Sequence, residues 1–309
     1  MTPLRQLKPR RKRSIIFWIF ILVAGPLTVL ILSYAAGYKF DRQTGTIIAT
    51  SLLSIKTTPA EATVFFNGKK QEPLTPYIYT DILPGTYTIT IRKSGYQPWK
   101  KHLTIEQGKS MLFNDVMLFL DHTTTTPIDA QAMPETVSRE ELSSLPQDLL
   151  ASYAKEGFAH PEALKSVEGP RDILVDPQTH VSYIVPSLKT FIDTDAVERE
   201  MEHTDWNEHL LVYTSQSDLW LYNSHDDTHT LLTRHGEPML DAVIHPAGQY
   251  VFFSAQDGIY AIEIDNKDHR QTWKLADASS ASNLRVTKTG AQLLFTSNDK
   301  TKSISLYND

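Results

Sequence analysis

The sequence predicts a mainly β protein with an N-terminal transmembrane helix, a small β-sandwich, and then propeller-like antiparallel β repeats forming three to four blades. Three observations lead there. Residues 14–38 contain no charged side chain. Residues 52–120 carry short strands of period-2 alternation punctuated by Pro and Gly turns, which is the pattern of a small antiparallel sandwich. Beyond residue 166 a strand pattern recurs at spacings of 40 and 42 residues, the length of one four-stranded propeller blade. A chain of 309 residues has room for about two such domains.

The apolar segment from Ser14 to Tyr38 reads SIIFWIFILVAGPLTVLILSYAAGY. It exceeds the roughly 20 residues needed to cross a hydrocarbon layer of ~30 Å. Trp18 near one end and Tyr34 and Tyr38 at the other suit the interfacial aromatic belts. Gly25-Pro26 at mid-span predicts a kink that membrane helices tolerate. The tail 1–13 holds Arg5, Lys8, Arg10, Arg11, Lys12 and Arg13 and no acid, whereas only Lys39 and Arg42 follow the span closely. The positive-inside rule then puts the tail in the cytoplasm and the bulk of the chain outside, as a single-pass protein of the cell membrane. A cleaved signal peptide is the competing reading, because Ser33-Tyr34-Ala35 has small residues at the −3 and −1 places. Against it, the apolar run is longer than the usual signal-peptide core.

All 36 acidic residues lie beyond the basic tail, so the body is more acidic than the formal net charge of −6 conveys. Such a body does not suit nucleic acid, whose phosphates need a cationic surface. The absence of cysteine excludes disulfides, thiolate nucleophiles and Cys-based metal sites.

After a short spacer, strands are expected at about 52–57, 62–67, 75–80, 86–92, 102–106 and 111–119. In the fourth, Tyr87, Ile89 and Ile91 alternate with Thr86, Thr88, Thr90 and Arg92, one face dry and one wet. Asn67-Gly68 is a strong hairpin signal because both residues accept positive φ. Pro84-Gly85 is a second turn. These features, with Pro59-Ala60-Glu61-Ala62, Thr75-Pro76, Leu83, Gly95-Tyr96-Gln97-Pro98 and Gly108, resemble the PEGA domain. The eponymous Pro-Glu-Gly-Ala signature departs at its two central positions. The resemblance covers residues 48–120 and implies a β-sandwich of membrane-tethered surface or envelope proteins, without activity of its own. Tyr77, Tyr79, Tyr96 and Trp99 are candidate ligand contacts for a sugar ring or a partner protein, against the simpler reading that they fill the core. Gln107-Gly108-Lys109-Ser110 has the end of a phosphate loop but lacks its upstream Gly, so it reads as a turn.

Residues 121–165 read as a linker with short helices. The run Thr123-Thr124-Thr125-Thr126-Pro127 is polar and aperiodic. Ser138-Arg139-Glu140-Glu141 matches a helix capping box ahead of Leu142, Leu145, Leu149 and Leu150. Residues 166–309 then hold the repeats. Asn207–Thr214, Gly248–Ser254 and Gly290–Thr296 are each followed by a polar turn and another alternating strand, with Tyr213, Phe253 and Phe295 at equivalent places. Ile244-His245-Pro246-Ala247-Gly248-Gln249-Tyr250 is similar to the blade motif of TolB-type and WD40-like propellers, with Ala247 where an Asp is usual. Asp176-Pro177 with Val181–Ile184 reads as a degenerate further copy.

No nucleophile elbow, zinc-protease motif or complete calcium loop is present. The groups His203, Asp205, His209 and His225, Asp226, Asp227, His229 have N/O ligand chemistry, yet solvated loop residues have the same composition. Acid pairs such as Asp193 and Asp195 read as solvated. The expectation is therefore no catalytic residue, no cofactor and no metal. The function expected is a non-enzymatic, membrane-anchored surface protein whose sandwich acts as stalk or adhesive unit and whose repeats bind protein or cell-wall glycan. The alternative is an envelope hydrolase with its site in the repeats. N-terminal sequencing of membrane-extracted protein tests the anchor: the uncleaved start is expected, and a start at Ala36 overturns it.

Overall fold

Helix α1 (Arg10–Ala35) is apolar all round beyond its basic first turn. In this computed structural model the described residues are 10–40, 45–129, 133–136, 143–144, 165–167, 172–176, 181–185, 203–207, 209–223, 225–226 and 228–308. Phe17–Ala35 has a mean hydropathy of 2.2, none of it buried, and is long and apolar enough to cross a membrane. Pro26 lies inside α1, and the Thr28 hydroxyl donates to the Ala24 carbonyl at 2.7 Å. The helix stops where Gly37 turns to φ +82°, the left-handed cap that glycine adopts without strain. A hairpin of β1 (Tyr38–Phe40) and β2 (Ile47–Ala49) follows at once. The Thr50 N–H closes it on the Gly37 carbonyl at 2.8 Å.

The sandwich contains seven strands: β3 (Ser51–Thr58), β4 (Thr63–Phe66), β5 (Lys69–Leu74), β6 (Tyr77–Ile82), β7 (Gly85–Arg92), β8 (Trp99–Ile105) and β9 (Ser110–Met117). They form a three-stranded sheet β6-β3-β9 and a four-stranded sheet β5-β4-β7-β8. Every pairing is antiparallel except β3 with β9. Inward residues alternate as a sandwich requires, with Leu53, Ile55, Val64, Ile89, Ile91, Leu103 and Phe113 buried. The turn at Asn67-Gly68 is confirmed, with φ of 48° and 79°. Its return strand β5 is absent from the sequence expectation, and the physical reason is exposure. Lys69-Lys70-Gln71-Glu72-Pro73 is an edge strand wet on both faces, so it shows no alternation, and its lysines and proline discourage further pairing.

The interval 121–165, expected as linker, contributes strands instead. Strand β10 (Thr126–Pro127) pairs with the far C-terminal strand, Thr126 opposite Ser303 and Pro127 opposite Lys302. Strand β11 (Ser143–Ser144) pairs with β12 (Lys165–Val167). The expected helix across 138–150 is thus replaced by strand at 143–144, and its other residues lie outside the described set. Polar Thr and Ser runs pair here through backbone groups, which leave no hydrophobic period to read.

Sheets of four strands then repeat. The first is β11-β12 with β13 (Asp172–Asp176) and β14 (Val181–Val185). The second contains β15 (Thr204–Asn207), β16 (Leu210–Ser215), β17 (Asp218–Asn223) and β18 (Thr228–Arg234). The third contains β19 (Met239–Ile244), β20 (Tyr250–Ala255), β21 (Gly258–Glu263) and β22 (Thr272–Ala276). The last comprises β23 (Ser282–Val286), β24 (Gln292–Ser297) and β25 (Lys300–Ser305), completed on its outer edge by β10. These are propeller blades, and Tyr213, Phe253 and Phe295 sit buried at the same place on the second strand of three of them.

Neighbouring blades are tied by a repeated aspartate on the inner strand. Asp205 accepts the Ile244 N–H of the next blade at 2.7 Å. Asp241, buried, accepts Leu284 N–H of the blade after that at 2.7 Å, and its own following N–H, Ala242, at 2.8 Å. His245 follows the same strand, its Nε2 at 3.2 Å from the Gly290 carbonyl. Burial holds its imidazole below the ordinary histidine range. A carboxylate accepting buried N–H groups is costly to delete, because the donors are left without a partner. Asp241→Ala is expected to lower stability by about 2–4 kcal/mol and Asp241→Asn by less. Urea denaturation of the detergent-solubilised chain, followed by tryptophan fluorescence, measures it; equal losses for both variants would count against the carboxylate's role.

Candidate binding site

The sandwich and the third blade meet along β8, an edge strand whose outward N–H groups would otherwise be open. The blade's loop between β21 and β22 covers them. Gln271 Oε1 accepts the Lys100 N–H at 2.8 Å, and Asp268 accepts the His102 N–H at 2.6 Å. That second bond is the main reason the Asp268 carboxyl lies below its usual range. The Gln97 side chain donates to the Lys274 carbonyl at 3.1 Å.

At the centre of this seam lies a buried charge cluster. Lys101 Nζ stands 2.6 Å from Glu263 Oε2, with side-chain exposures of 1% and 5%. The other carboxylate oxygen accepts Trp99 Nε1–H at 2.5 Å. Gln271 N–H donates to Oε2 at 3.0 Å, and Lys101 also donates to the His269 carbonyl at 2.7 Å. Each charge therefore has the several partners that burial demands. Beside it, Phe119 packs its ring 5.4 Å from Tyr250 and 5.2 Å from Trp273. The Tyr250 hydroxyl accepts the Met117 N–H at 2.9 Å. Burial, and then the charge of Glu263, push the Tyr250 phenol far above its ordinary value.

Above this seam opens a cleft of about 450 Å³. Strand β9, at the free edge of the three-stranded sheet, forms one wall with Phe113, Asn114 and Asp115. The blades form the other with His209, Gln249, Asp265 and Lys267. A second hollow of about 330 Å³ continues along Ser110–Leu112 and shares Leu112 and Lys267 with the first. The register of β9 slips by one residue against β3 between Phe113 and Val116, a bulge that turns Asn114–Asp115 out of regular pairing. Lys267 Nζ lies 3.5 Å from Asp265 and 5.3 Å from the Phe113 ring centroid. The cleft thus offers carboxylates, one ammonium, an imidazole and an aromatic face.

The sequence candidates land in separate places. Trp99 and Tyr79 are buried, Tyr77 is exposed with its ring 4.9 Å from that of Tyr79, and the Tyr96 hydroxyl meets the Asn308 backbone at 3.2 Å. Burial and then Tyr77 push the Tyr79 phenol up to about 12. Only Trp99 lines the cleft, from within the seam. Of the histidine groups, His209 reaches the cleft and stacks on His225 at 4.2 Å between ring centroids. Asp205 serves Ile244, and His229 Nδ1 pairs with the Tyr213 hydroxyl at 3.1 Å. Asp193, Asp195 and Asp227 lie outside the described residues. Among the described residues no three His, Asp or Glu side chains gather to hold a metal.

Lys101 and Glu263 escaped the sequence reading. Placing the strand at 102–106 began it too late. Extended to Trp99, the alternation Trp99, Lys101, Leu103, Ile105 puts a lysine on the buried face, which signals a buried partner.

Residues 50–117 match the PEGA domain family. No curated protein matches the chain. WD40 and propeller proteins are among the solved structures it is similar to. Kluyveromyces lactis Hsv2 shares 13% identity over 84% of this chain and 76% of that one, with a TM-score of 0.36. The C-terminal WD40 domain of Sif2 shares 11% over 49% and 48%, TM-score 0.36. Kuenenia stuttgartiensis hydrazine synthase shares 12% over 40% and 38%, TM-score 0.32. The chain spans less than two thirds of the last two. These likenesses are distant, and the blade assignment rests on the strand pairing.

Removing one member of a buried ion pair leaves the other charged and unpartnered, at about 3–5 kcal/mol. Lys101→Met is expected to destabilise the detergent-solubilised chain by that amount in urea denaturation. Adding Glu263→Gln should recover at least about 1 kcal/mol; additive losses would show that the two groups are not coupled.

Proposed function

We propose that this chain is a non-enzymatic, membrane-anchored surface protein, with its N-terminus cytoplasmic and its β domains outside the cell. The observation that carries the reading is the fusion of a PEGA sandwich to propeller blades across a polar cleft. The apolar helix ahead of the sandwich and the basic tail ahead of the helix support the anchor and its direction. The sandwich then serves as a rigid, membrane-proximal stalk. The cleft and the blades serve to bind an envelope protein or cell-wall glycan.

The state of two of the cleft's polar groups supports binding over catalysis. Glu263 is neutralised by Lys101, and the Tyr250 hydroxyl is held on Met117 with its proton strongly retained. A general base needs reach to a substrate, and both groups are buried and already held by protein partners. Asp115, Asp265 and Lys267 along an elongated groove favour an extended polypeptide, which carries charges and amides at intervals.

Detergent-solubilised full-length protein should retain a ligand from envelope extract. Reversing the cleft charge with Lys267→Glu should weaken retention about tenfold, or ~1.4 kcal/mol, without changing the urea midpoint. Unchanged retention would move the binding surface away from the cleft.

A further inference from the structure

The hairpin β1–β2 has its faces the wrong way round for a protein surrounded by water. In the ladder Tyr38 stands opposite Ala49 and Phe40 opposite Ile47, so these four share one face. Three of them point outward, Tyr38, Phe40 and Ile47 being exposed by 44%, 63% and 65%, while Ala49 is half-buried beside Gly108 at the base of the hairpin. The opposite face bears Lys39, which turns toward the sandwich and pairs with Asp81 of β6 at 3.3 Å. A shift of one residue would have reversed this and laid Phe40 and Ile47 against the sandwich.

Position explains the inversion. An apolar span of 19 residues is ~28 Å long as a helix, nearly the full ~30 Å of hydrocarbon. The hairpin starts three residues beyond it, with both ends clasped at Gly37 and Thr50. On the membrane reading proposed above, that puts β1 within the headgroup layer of roughly 5–7 Å. Tyr and Phe with an aliphatic partner are the side chains favoured at that depth.

We propose that the hairpin is an interfacial foot, which inserts Tyr38, Phe40 and Ile47 into the lipid headgroup–acyl boundary while Lys39 braces it to the sandwich. The occupant of this apolar face is the same bilayer that α1 enters. The foot adds a second, off-axis contact to the helix and so limits tilting of the sandwich about its anchor.

The chain has no cysteine, so single-cysteine spin labels report unambiguously. Phe40→Cys, Ile47→Cys, Leu30→Cys in the span and Glu72→Cys on the exposed edge strand are labelled in the full chain and reconstituted into phosphatidylcholine–phosphatidylglycerol vesicles. Power-saturation EPR then compares access of oxygen with that of a water-soluble nickel chelate. The foot predicts an oxygen-to-nickel ratio at 40 and 47 several-fold above that at 72, and below that at 30. A water-like ratio at 40 and 47 with a lipid-like ratio at 30 overturns the foot and leaves the anchor standing. Poor access of both reagents at 40 and 47 means protein covers the face, and also overturns it. A water-like ratio at 30 removes the anchor and the foot together.

Discussion

The buried pair of Lys101 and Glu263 is the constraint on which the arrangement of the β domains depends. Two charges withdrawn from water are tolerable only with dense compensation, and here the compensation comes from both sides of the seam. Trp99 and Lys101 belong to the sandwich, whereas Glu263, His269 and Gln271 belong to the third blade. Neither half can keep its charge dry and satisfied alone. The pair therefore fixes the register of β8 against the loop that caps its edge. Contacts of Lys100 and His102 with Gln271 and Asp268 repeat that register on either side.

Apolar packing follows the same line. A single buried cluster runs from Leu53 and Ile91 in the sandwich through Phe119 to Tyr250, Leu284 and Leu306 in the last two blades. A second cluster joins the second and third blades through Val212, Met239 and Phe253. The chain leaves the sandwich through Leu118 and Phe119 and immediately becomes part of the propeller core. It then supplies β10 to the last blade, so a strand from before the blades finishes a sheet made after them. Pairing distant chain segments in one sheet removes an exposed edge. The sandwich and the last two blades form one body.

That rigidity gives the proposed roles their geometry. A cleft between two independently moving domains would open and close with their motion; here β9 and the third blade, which form two of the walls, share a core. On the membrane reading, helix, hairpin and sandwich are joined with only Ala36-Gly37 and Thr50 as short connectors. Orientation imposed at the bilayer is then transmitted through the sandwich to the blades. The inward-turned Lys39 and outward-turned Phe40 are two sides of that one arrangement.

Much of this was legible from residue order, because the signals were local. An uninterrupted apolar run, the alternation of Tyr87, Ile89 and Ile91, the Asn67-Gly68 turn and the spacing of Tyr213, Phe253 and Phe295 each depend on neighbours within one element. They determined the helix, the sandwich and the blade repeat. The PEGA segment was recognisable for the same reason. What stayed hidden lacked a hydrophobic period or joined distant positions. Strand β5 is wet on both faces, and β10 and β11 are held through backbone groups of Thr, Pro and Ser. The Lys101–Glu263 pair joins residues 101 and 263, and the cleft exists only where β9 faces the blades. The sequence by itself determined which parts this protein contains. Only the tertiary structure decided that the sandwich and the last two blades share one core, because burial of a charge is settled by what the far end of the chain brings to meet it.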